Sequence, residues 1–315
     1  MRSILLIVLA AALSCSSAFG WGCEGHQIVA LIARTHLTPA VSAAVDDLLR
    51  ANPIDPALTR FCQDRPADLM ADASTWADDA KNPEKTGVWH YVDIPLSVNA
   101  VTSLDPWCPP IGPSVDGKNR PGCITKAIEY ELAILKDKSR ASADRATALR
   151  YIIHFVGDIH QPLHDEDNND QGGNCTAIQF YTEDRPANLH AIWDYKLIER
   201  DLETKKRTQS AYAADLYTRF AAKFEALSAA PPNDPDAWAW EAHALTKTIT
   251  YGNLQPQIPV ETPDPKAVCA TEREKVQALH IAVGDAYLNK AMPVIDDLLA
   301  TAGFRLALLL NNTLQ

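Results

Sequence analysis

The segment from Tyr151 to His164, YIIHFVGDIHQPLH, restricts the possible folds of this chain more than any other stretch. His154 and Asp158 are four residues apart, so on a helix they lie on the same face. The residues around them are apolar: Ile152, Ile153, Phe155, Val156 and Ile159. The sequence therefore predicts a helix that is buried on most sides, ends at Pro162 and is followed by His164 on the turn. Because unpaired burial is costly, His154 and Asp158 both need partners, either in an ordinary core or in a functional site.

The first twenty residues have the composition of an export signal. Arg2 provides a short basic region, residues 4–13 form an apolar run, and the tripeptide AFG at 18–20 is a small-x-small cleavage signal. The apolar run is too short to span a bilayer. We therefore expect residues 1–20 to be a cleaved signal peptide. Residues 21–315 would then form a secreted or periplasmic protein without stable membrane association.

Net charge limits what the surface as a whole can bind. The full sequence carries a formal net charge of −11, and removal of the signal peptide takes away Arg2 and no acid, which leaves −12. A protein that binds nucleic acid mainly through its phosphates needs a basic surface, and this acidic composition does not provide one. If the substrate is a polyanion, cations within the site must attract it.

Cysteine usage indicates an oxidising compartment. Six cysteines remain after cleavage: Cys23, Cys62, Cys108, Cys123, Cys175 and Cys269. An even number in an exported chain indicates up to three disulfides, and six cysteines allow fifteen connectivities. No pair has the C-x-x-C spacing of a structural zinc site.

Most of the mature chain has the apolar spacing of helices. We expect helices at 25–37, 41–49, 67–79, 124–137, 143–159, 188–202, 209–227, 235–249, 271–288 and 292–311. Two stretches rich in turn-forming residues, 83–123 and 165–188, are expected to be irregular, with short extended pieces at 88–94 and 176–181. No break is long or polar enough to divide the chain, so the sequence predicts a single all-α domain over 21–315.

Histidines and aspartates recur in apolar or aromatic settings elsewhere in the chain. His190 and Asp194, in NLHAIWD, repeat the His-x-x-x-Asp spacing, and His26 lies five residues after the expected amino terminus. Asp78 stands beside a tryptophan in STWAD, and His90 ends VWH. Burying so many titratable groups without a metal would cost several kcal/mol apiece. Imidazole and carboxylate without thiolate is the ligand set of a hydrolytic zinc centre.

Several motifs together resemble those of the S1/P1-type zinc nucleases. They are WGCEGHQIVALIA, ASTWAD, WHYVDIP, RYIIHFVGDIHQPLH, GGN and NLHAIWD, and they run in the family's order from residue 21 to about residue 202. The resemblance continues more loosely to the carboxyl terminus. It implies a mostly helical domain of the zinc-dependent phospholipase C and P1 nuclease type, with three zinc ions per chain.

The resemblance also implies nine metal ligands. They would be Trp21, through its α-amine and carbonyl, with His26 at one ion; Asp78, His90 and His154 at a second; Asp158 bridging these two; and His164, His190 and Asp194 at a third. The other histidines are expected to be ordinary core or surface residues: His36, His160, His243 and His280. His160 lies within the same motif, but the helix should turn it away from His154.

The expected chemistry follows from the metal cluster. Two ions roughly 3.5–4 Å apart can hold a bridging hydroxide at neutral pH and polarise the phosphate that it attacks. A third ion can stabilise the leaving 3′-oxygen, which gives a 5′-phosphorylated product and also allows removal of a 3′-phosphate. The resemblance therefore implies a nuclease acting on single-stranded DNA, RNA and 3′-nucleotides, and we expect it to be a monomer.

Five residues receive catalytic or substrate-binding roles from the resemblance. Asp78 and Asp158 are expected to be catalytic as metal ligands, and Lys81 would contact the phosphate, although a solvated surface lysine is a fair rival interpretation. Tyr91 would stack on a base and Asp93 would bind the base edge; both could instead be packing and capping groups. Stacking tolerates any base but requires it to be unpaired, which explains a preference for single strands.

Zinc-dependent phospholipase C is the rival enzyme class, because it shares this type of fold and cluster. Its last acidic ligand is a glutamate, whereas this chain has Asp194, and the VDIP segment after His90 also fits the nucleases better. A zinc-storage protein is disfavoured, because storage needs neither an open coordination position nor a base-stacking ring.

The family resemblance suggests two disulfides and one turn. Cys108 would pair with Cys269 and Cys23 with Cys62, which leaves Cys123 and Cys175 unassigned. The GGN segment at 172–174 is expected to be a turn that closes the wall of the site.

Overall fold

The computed structural model of the chain describes residues 21–84, 86–99, 103–112, 122–229 and 234–315, with the side chains of 81–84 excepted. The expected signal peptide, residues 1–20, lies outside the described residues. The α-helices are α1 (Cys23–His36), α2 (Pro39–Ala51), α3 (Leu69–Ala73), α4 (Trp76–Glu84), α5 (Ile124–Lys136), α6 (Ser142–Asp158), α7 (Leu189–Ala191), α8 (Leu197–Lys205), α9 (Gln209–Arg219), α10 (Ala221–Ser228), α11 (Pro235–Leu245), α12 (Cys269–Gln277) and α13 (Asp285–Thr313). Short 3₁₀ turns occupy Gly87–His90 and Pro162–His164, and π-helical turns occupy Ile192–Lys196 and Thr246–Thr250. The prediction of a mostly helical fold is confirmed.

Helix α6 lies at the centre of the fold. Every residue from Ala148 to Asp158 is buried, as its apolar sequence predicts. The helix packs against α5, and also against α1 and α13. Helices α1 and α13 approach so closely that a Cβ at Gly303 would stand 2.5 Å from Cγ2 of Ile32. Glycine is therefore required at this crossing, which sets the position of α1 and of the residues that α1 presents to α6.

Local signals in the sequence explain where α2 and α3 begin. Thr38 caps α2 by accepting a hydrogen bond from the N–H of Val41 at 3.3 Å, and Pro39 occupies the first turn. Asp68 caps α3 by accepting hydrogen bonds from the N–H groups of Met70 and Ala71, both at 2.9 Å. The predicted helix 41–49 is thus confirmed, with bounds two residues wider at each end.

A small sheet lies beside the helices. Strands β1 (Ala177–Phe180), β2 (Ala187–Asn188) and β3 (Ala282–Val283) are arranged in the order β2-β1-β3. Strand β1 pairs with β2 in antiparallel orientation and with β3 in parallel orientation. The predicted extended piece at 176–181 is confirmed as β1.

Several predicted elements are wrong in detail. The helices expected at 67–79 and 209–227 are each interrupted, at Ser74 and Thr75 and at Phe220. The single helix expected at 271–288 is interrupted, because α12 ends at Gln277 and His280 adopts a left-handed conformation with φ 51° before β3. The extended piece expected at 88–94 begins instead as a 3₁₀ turn, which buries both Trp89 and His90.

Three disulfides join cysteines in the described part of the chain. Cys23–Cys62 confirms the expected pair, with a Cα–Cα distance of 5.6 Å. The expected Cys108–Cys269 pair is wrong: Cys108 bonds Cys123 and Cys175 bonds Cys269, with Cα–Cα distances of 5.0 and 5.1 Å. The physical reason is proximity, because a disulfide needs Cα atoms about 4.4–6.8 Å apart. Cys123 stands at the start of α5 beside the loop that carries Cys108, whereas Cys269 begins α12, which packs against β1 near Cys175.

No helix in the described ranges is both long and apolar enough to cross a membrane.

Candidate metal centre

The first group of candidate ligands joins α1 to α6. His154 and Asp158 lie one turn apart on α6, with 3.1 Å between Nε2 of His154 and Oδ2 of Asp158. His26 on α1 brings Nε2 to 3.2 Å from Oδ1 of the same carboxylate. The rings of His26 and His154 stack with centroids 3.9 Å apart. One carboxylate is thus contacted on both oxygens, which is the arrangement needed to bridge two cations.

The second group shares His154 with the first. His90, at the end of the first 3₁₀ turn, brings Nδ1 to 3.1 Å from Nε2 of His154 and to 3.0 Å from Oδ2 of Asp158. Asp78 on α4 approaches both imidazoles, with its carboxylate oxygens 3.8 Å from Nδ1 of His90 and 3.8 Å from Nε2 of His154. The two groups therefore form one continuous cluster around Asp158.

The third group joins the 3₁₀ turn after α6 to the helical segment that begins with α7. His164 ends the 3₁₀ turn Pro162–His164, His190 is on α7, and Asp194 is in the π-helical turn. Nε2 of His190 lies 3.2 Å from Oδ2 of Asp194, and Nε2 of His164 lies 3.9 Å from Oδ1. Ligand atoms within each of these three groups lie within 4.8 Å of one another.

Backbone carbonyls fix the orientation of three of these imidazoles. Nδ1 of His154 donates to the carbonyl of Ser74 at 2.7 Å, Nδ1 of His164 to that of His90 at 2.7 Å, and Nδ1 of His190 to that of Gly172 at 2.6 Å. With Nδ1 acting as a donor, each Nε2 can present its lone pair to the cluster, the arrangement usual for metal-binding histidines.

The GGN turn has the structural role expected from the sequence. Gly172 and Gly173 have φ of 60° and 78°, in the left-handed region that favours glycine. A Cβ at Gly172 would stand 2.4 Å from the carbonyl oxygen of Leu163, so no larger residue fits. Its conformation aims the Gly172 carbonyl at His190, and the turn thereby orients a member of the third group.

Three supporting residues were missed by the sequence analysis. Gln161 donates from Nε2 to Oδ1 of Asp194 at 2.5 Å, and Ser74 contributes only its carbonyl. Gly157 gives His26 its space, because a Cβ there would stand 2.7 Å from Nδ1 of that ring. A glycine within a buried helix was the available signal for Gly157, since it disfavours the helix unless close approach requires it.

The buried atoms of the cluster fit a bound cation. Four buried atoms of the cluster have no hydrogen-bond partner among the described residues: Nδ1 and Nε2 of His26, Nε2 of His90 and Oδ1 of Asp158. His26 Nε2 and Asp158 Oδ1 are close, but their geometry does not form a hydrogen bond. Unsatisfied buried polar atoms are rare and costly, and a cation held between Nε2 of His26 and Oδ1 of Asp158 would satisfy these two. Imidazole nitrogens and carboxylate oxygens suit zinc.

The surroundings of His26, His90 and Asp158 favour the protonation states that can bind a cation. Burial and the charge of His154 lower the pKa of His26 to about 4, and burial also lowers the pKa of His90. Burial opposes the charge on Asp158, but His154 and the other imidazoles outweigh it and hold the pKa of the carboxyl well below its usual range. Burial likewise opposes charge on His154, yet Asp158 and Asp78 raise its pKa to about 9. A cation would displace that proton, because a metal-binding imidazole must be neutral.

The expected amino-terminal ligand, Trp21, is fully buried beside the cluster. A Cβ at Gly25 would stand 2.7 Å from Cβ of Trp21, and one at Gly157 would stand 3.8 Å from Cδ1 of its indole. The N–H of the next residue, Gly22, donates to the carbonyl of Asp194 at 2.8 Å. The amino-terminal segment therefore lies between the first and third groups.

The expected substrate residues follow the cluster along the chain. Lys81 lies in α4, one turn after Asp78, and its side chain is outside the described part of the structure. Tyr91 is half-buried directly after His90, and burial together with the charge of Asp93 raises its pKa to about 12. The side chain of Asp93 is exposed. His160 stays apart from the cluster, as expected, and its ring bonds the carbonyl of Val156 and the guanidinium of Arg305.

A helical scaffold that buries three neighbouring groups of imidazole and carboxylate, each able to hold a metal ion, is typical of the class of metal-dependent hydrolases. The family comparison is more specific: the model of the S1/P1 Nuclease family matches residues 21–315, so this chain belongs to the S1/P1 nuclease family. It is 30% identical over 308 residues to Endonuclease 2 of Arabidopsis thaliana, covering 93% of this chain and 90% of the relative. It is 27% identical over 323 residues to Nuclease S1 of Aspergillus oryzae, covering 96% and 95%. Nuclease P1 of Penicillium citrinum is 28% identical over 181 residues, which are 55% of this chain and 57% of that one.

Membership of this family makes the chain a hydrolase of phosphodiester bonds in nucleic acids, and the family is metal-dependent.

Proposed function

We propose that this protein is an exported zinc nuclease that cleaves single-stranded DNA and RNA to 5′-phosphorylated products and also removes the phosphate of 3′-nucleotides. The observation that carries the proposal is the continuous buried cluster around Asp158, with a third group held beside it. Its donor set of imidazole and carboxylate without thiolate suits a hydrolytic zinc centre.

Three zinc ions per chain would be held by the nine residues named above. His26 and Asp158 would serve one ion with Trp21, the second group would serve another with Asp158 shared, and the third group would hold the last. When bound, such a cluster supplies an activated water and neutralises charge on the phosphate. The carbonyls of Ser74, His90 and Gly172 hold the rings so that Nε2 faces inward.

Other residues of the chain bind the substrate in this proposal. Tyr91 stacks on an unpaired base, and Asp93 accepts hydrogen bonds from the base edge. Lys81 balances charge on the phosphate. Their places directly after His90 and one turn after Asp78 support these roles, because each of the three residues is a close chain neighbour of a candidate metal ligand.

The chain would be processed and exported before it acts. Cleavage after Gly20 would leave Trp21 as the first residue, and the three disulfides fit an oxidising compartment outside the cytoplasm. The protein would act there as a monomer without stable membrane association.

One set of assays tests the activity. The purified, zinc-loaded protein is given single-stranded DNA, RNA, a 3′-nucleotide, double-stranded DNA and phosphatidylcholine. We expect hydrolysis of the first three with 5′-phosphate ends on the polymer products, slow attack on the duplex and none on the lipid. His154→Ala should abolish activity. His280→Asn is the matched control, since His280 belongs to none of the three groups and asparagine tolerates its left-handed backbone. Hydrolysis of phosphatidylcholine in preference to nucleic acid would favour the phospholipase class instead.

A further inference from the structure

The backbone of Tyr91 is held by the first turn of α5. The carbonyl of Tyr91 accepts a hydrogen bond from the N–H of Ile124 at 3.1 Å. Ile124 is the first residue of α5, and the first N–H groups of a helix have no partner inside the helix. The first N–H of α5 therefore bonds the backbone of Tyr91, the residue proposed to stack on the base.

A disulfide anchors this helix start. Cys123 precedes Ile124 at the N-cap position, where its side chain makes no capping hydrogen bond, and it is bonded to Cys108. Both cysteines are buried, and the N–H of Cys108 donates to the carbonyl of Leu104 at 2.9 Å. Helix ends without caps fray readily. The covalent link to a buried turn therefore takes the place of the missing side-chain cap.

The residues on either side of Tyr91 are held by a different element. The carbonyl of His90 accepts from Nδ1 of His164 at 2.7 Å, and the N–H of Val92 donates to the carbonyl of His164 at 2.8 Å. Helix α5 carries none of the candidate metal ligands. Helix α5 also packs against the 3₁₀ turn Gly87–His90, but the two hydrogen bonds with His164 hold His90 and Val92 independently of α5. Loosening the first turn of α5 should consequently move Tyr91 more than the cluster.

We infer that the Cys108–Cys123 disulfide is a positioning element for base recognition, which fixes Tyr91 through the N–H of Ile124; the inference rests on the proposed function and on the stacking role of Tyr91. The disulfide closes a sequence separation of only 15 residues, against 94 for Cys175–Cys269. In the chain-entropy model a short loop contributes less to stability than a long one. Its position at the start of α5 gives it an additional, local effect on the base subsite.

The test compares two substrates with the same reacting phosphate. One is deoxyadenosine 3′-phosphate, and the other is the abasic tetrahydrofuran analogue of deoxyribose 3′-phosphate, which has no base to stack. For Cys108→Ala/Cys123→Ala we expect KM for the nucleotide to rise about fivefold or more, the lower range for loss of one stacking contact, with kcat little changed. Both constants for the abasic substrate should stay at the wild-type level.

A second disulfide provides the matched control. Cys175→Ala/Cys269→Ala opens the longer loop and should lower the unfolding temperature more, but that disulfide does not anchor the helix start that donates to Tyr91. It should leave the ratio of kcat/KM values for the two substrates unchanged. Equal losses on both substrates in the Cys108→Ala/Cys123→Ala variant, or an unchanged ratio, would overturn the inference alone. A wild-type enzyme that hydrolyses neither substrate would refute the proposed function and, with it, the inference.

A variant that retains the disulfide covers the case in which the double variant does not fold. Ile124→Pro removes the N–H that donates to the carbonyl of Tyr91. Proline is best tolerated at this first helical position, and the extended backbone of Cys123 is compatible with a following proline. We expect the same selective rise in KM, which Ile124→Val, with its N–H intact, should not show. In a Tyr91→Leu background Ile124→Pro should add nothing, because the ring it positions is gone. A full additional effect there contradicts the inference.

Discussion

Gly157→Ala tests whether His26 binds a metal without replacing any of the proposed ligands. An added Cβ would stand 2.7 Å from Nδ1 and 3.0 Å from Cε1 of His26, whereas ordinary contact begins near 3.4 Å, so the ring must retreat by about 0.7 Å. Metal–ligand distances tolerate only about 0.2 Å of deviation. His26 therefore cannot keep its place at an ion when residue 157 carries a methyl group.

The substitution should not unfold the protein. Gly157 lies within α6, where alanine is favoured over glycine by about 1 kcal/mol, which offsets part of the clash. The expected result is a folded protein that has lost about one zinc ion per chain and at least about 10–100-fold in kcat/KM, the range seen when support for a metal ligand is removed. Zinc analysis, circular dichroism and steady-state rates on a 3′-nucleotide measure the three quantities.

Gly87→Ala is the matched control, because a Cβ at Gly87 meets no atom of the described residues within 4 Å. It should keep wild-type zinc content and rate. A Gly157→Ala protein with full zinc content and normal turnover would show that His26 does not bind a metal, or that α1 moves freely enough to absorb the methyl group.

Three further predictions concern the cluster and its surroundings. Asp158→Asn removes the charge that lets two cations sit close together, so zinc analysis should show loss of at least one ion and assays nearly complete loss of activity; normal values for both would reduce Asp158 to a core residue. Asp170→Ala removes the carboxylate that accepts from the N–H of Gly173 at 3.0 Å, so the GGN turn should orient His190 less firmly. Zinc should then bind more weakly at the third group, as measured by competition with a chelator. A chain with one extra residue before Trp21 cannot offer a free α-amine, whose pKa is near 7.7–8.0, to zinc, so its zinc content and nuclease rate should fall below those of the trimmed form. Equal values would show that the amino terminus is not a ligand.

The sequence was most informative where spacing alone determines geometry. The four-residue spacing of His154 and Asp158 predicted their common face, and the same spacing in His190 and Asp194 placed the second pair together although a π-helical turn intervenes. Apolar residues all around the centre of α6 predicted its burial. These features depend on neighbours a few residues away, so local rules suffice.

Features that depend on distant partners were not predictable from local rules. The pairing of Cys108 follows from where α5 begins in space, and fifteen connectivities were compatible with the sequence. The break after Gln277 arises because β3 pairs with β1, a contact between segments far apart in the chain. Gln161 and the carbonyl of Ser74 support the cluster through contacts across elements, and a backbone carbonyl leaves no trace in residue identity.

The hydrogen bond from Gly22 to the carbonyl of Asp194 has a consequence for the order of folding. It joins the first residues after the expected cleavage point to a helix far along the chain, so a large loop must close before it can form. The helices in between can gain stability earlier from nearer contacts, such as those of α5 with α6. The amino-terminal segment is therefore expected to dock late and to open first under mild denaturation. Hydrogen exchange at Gly22 should then be faster than in the middle of α6, and the complete metal centre would form only in a chain that is already folded.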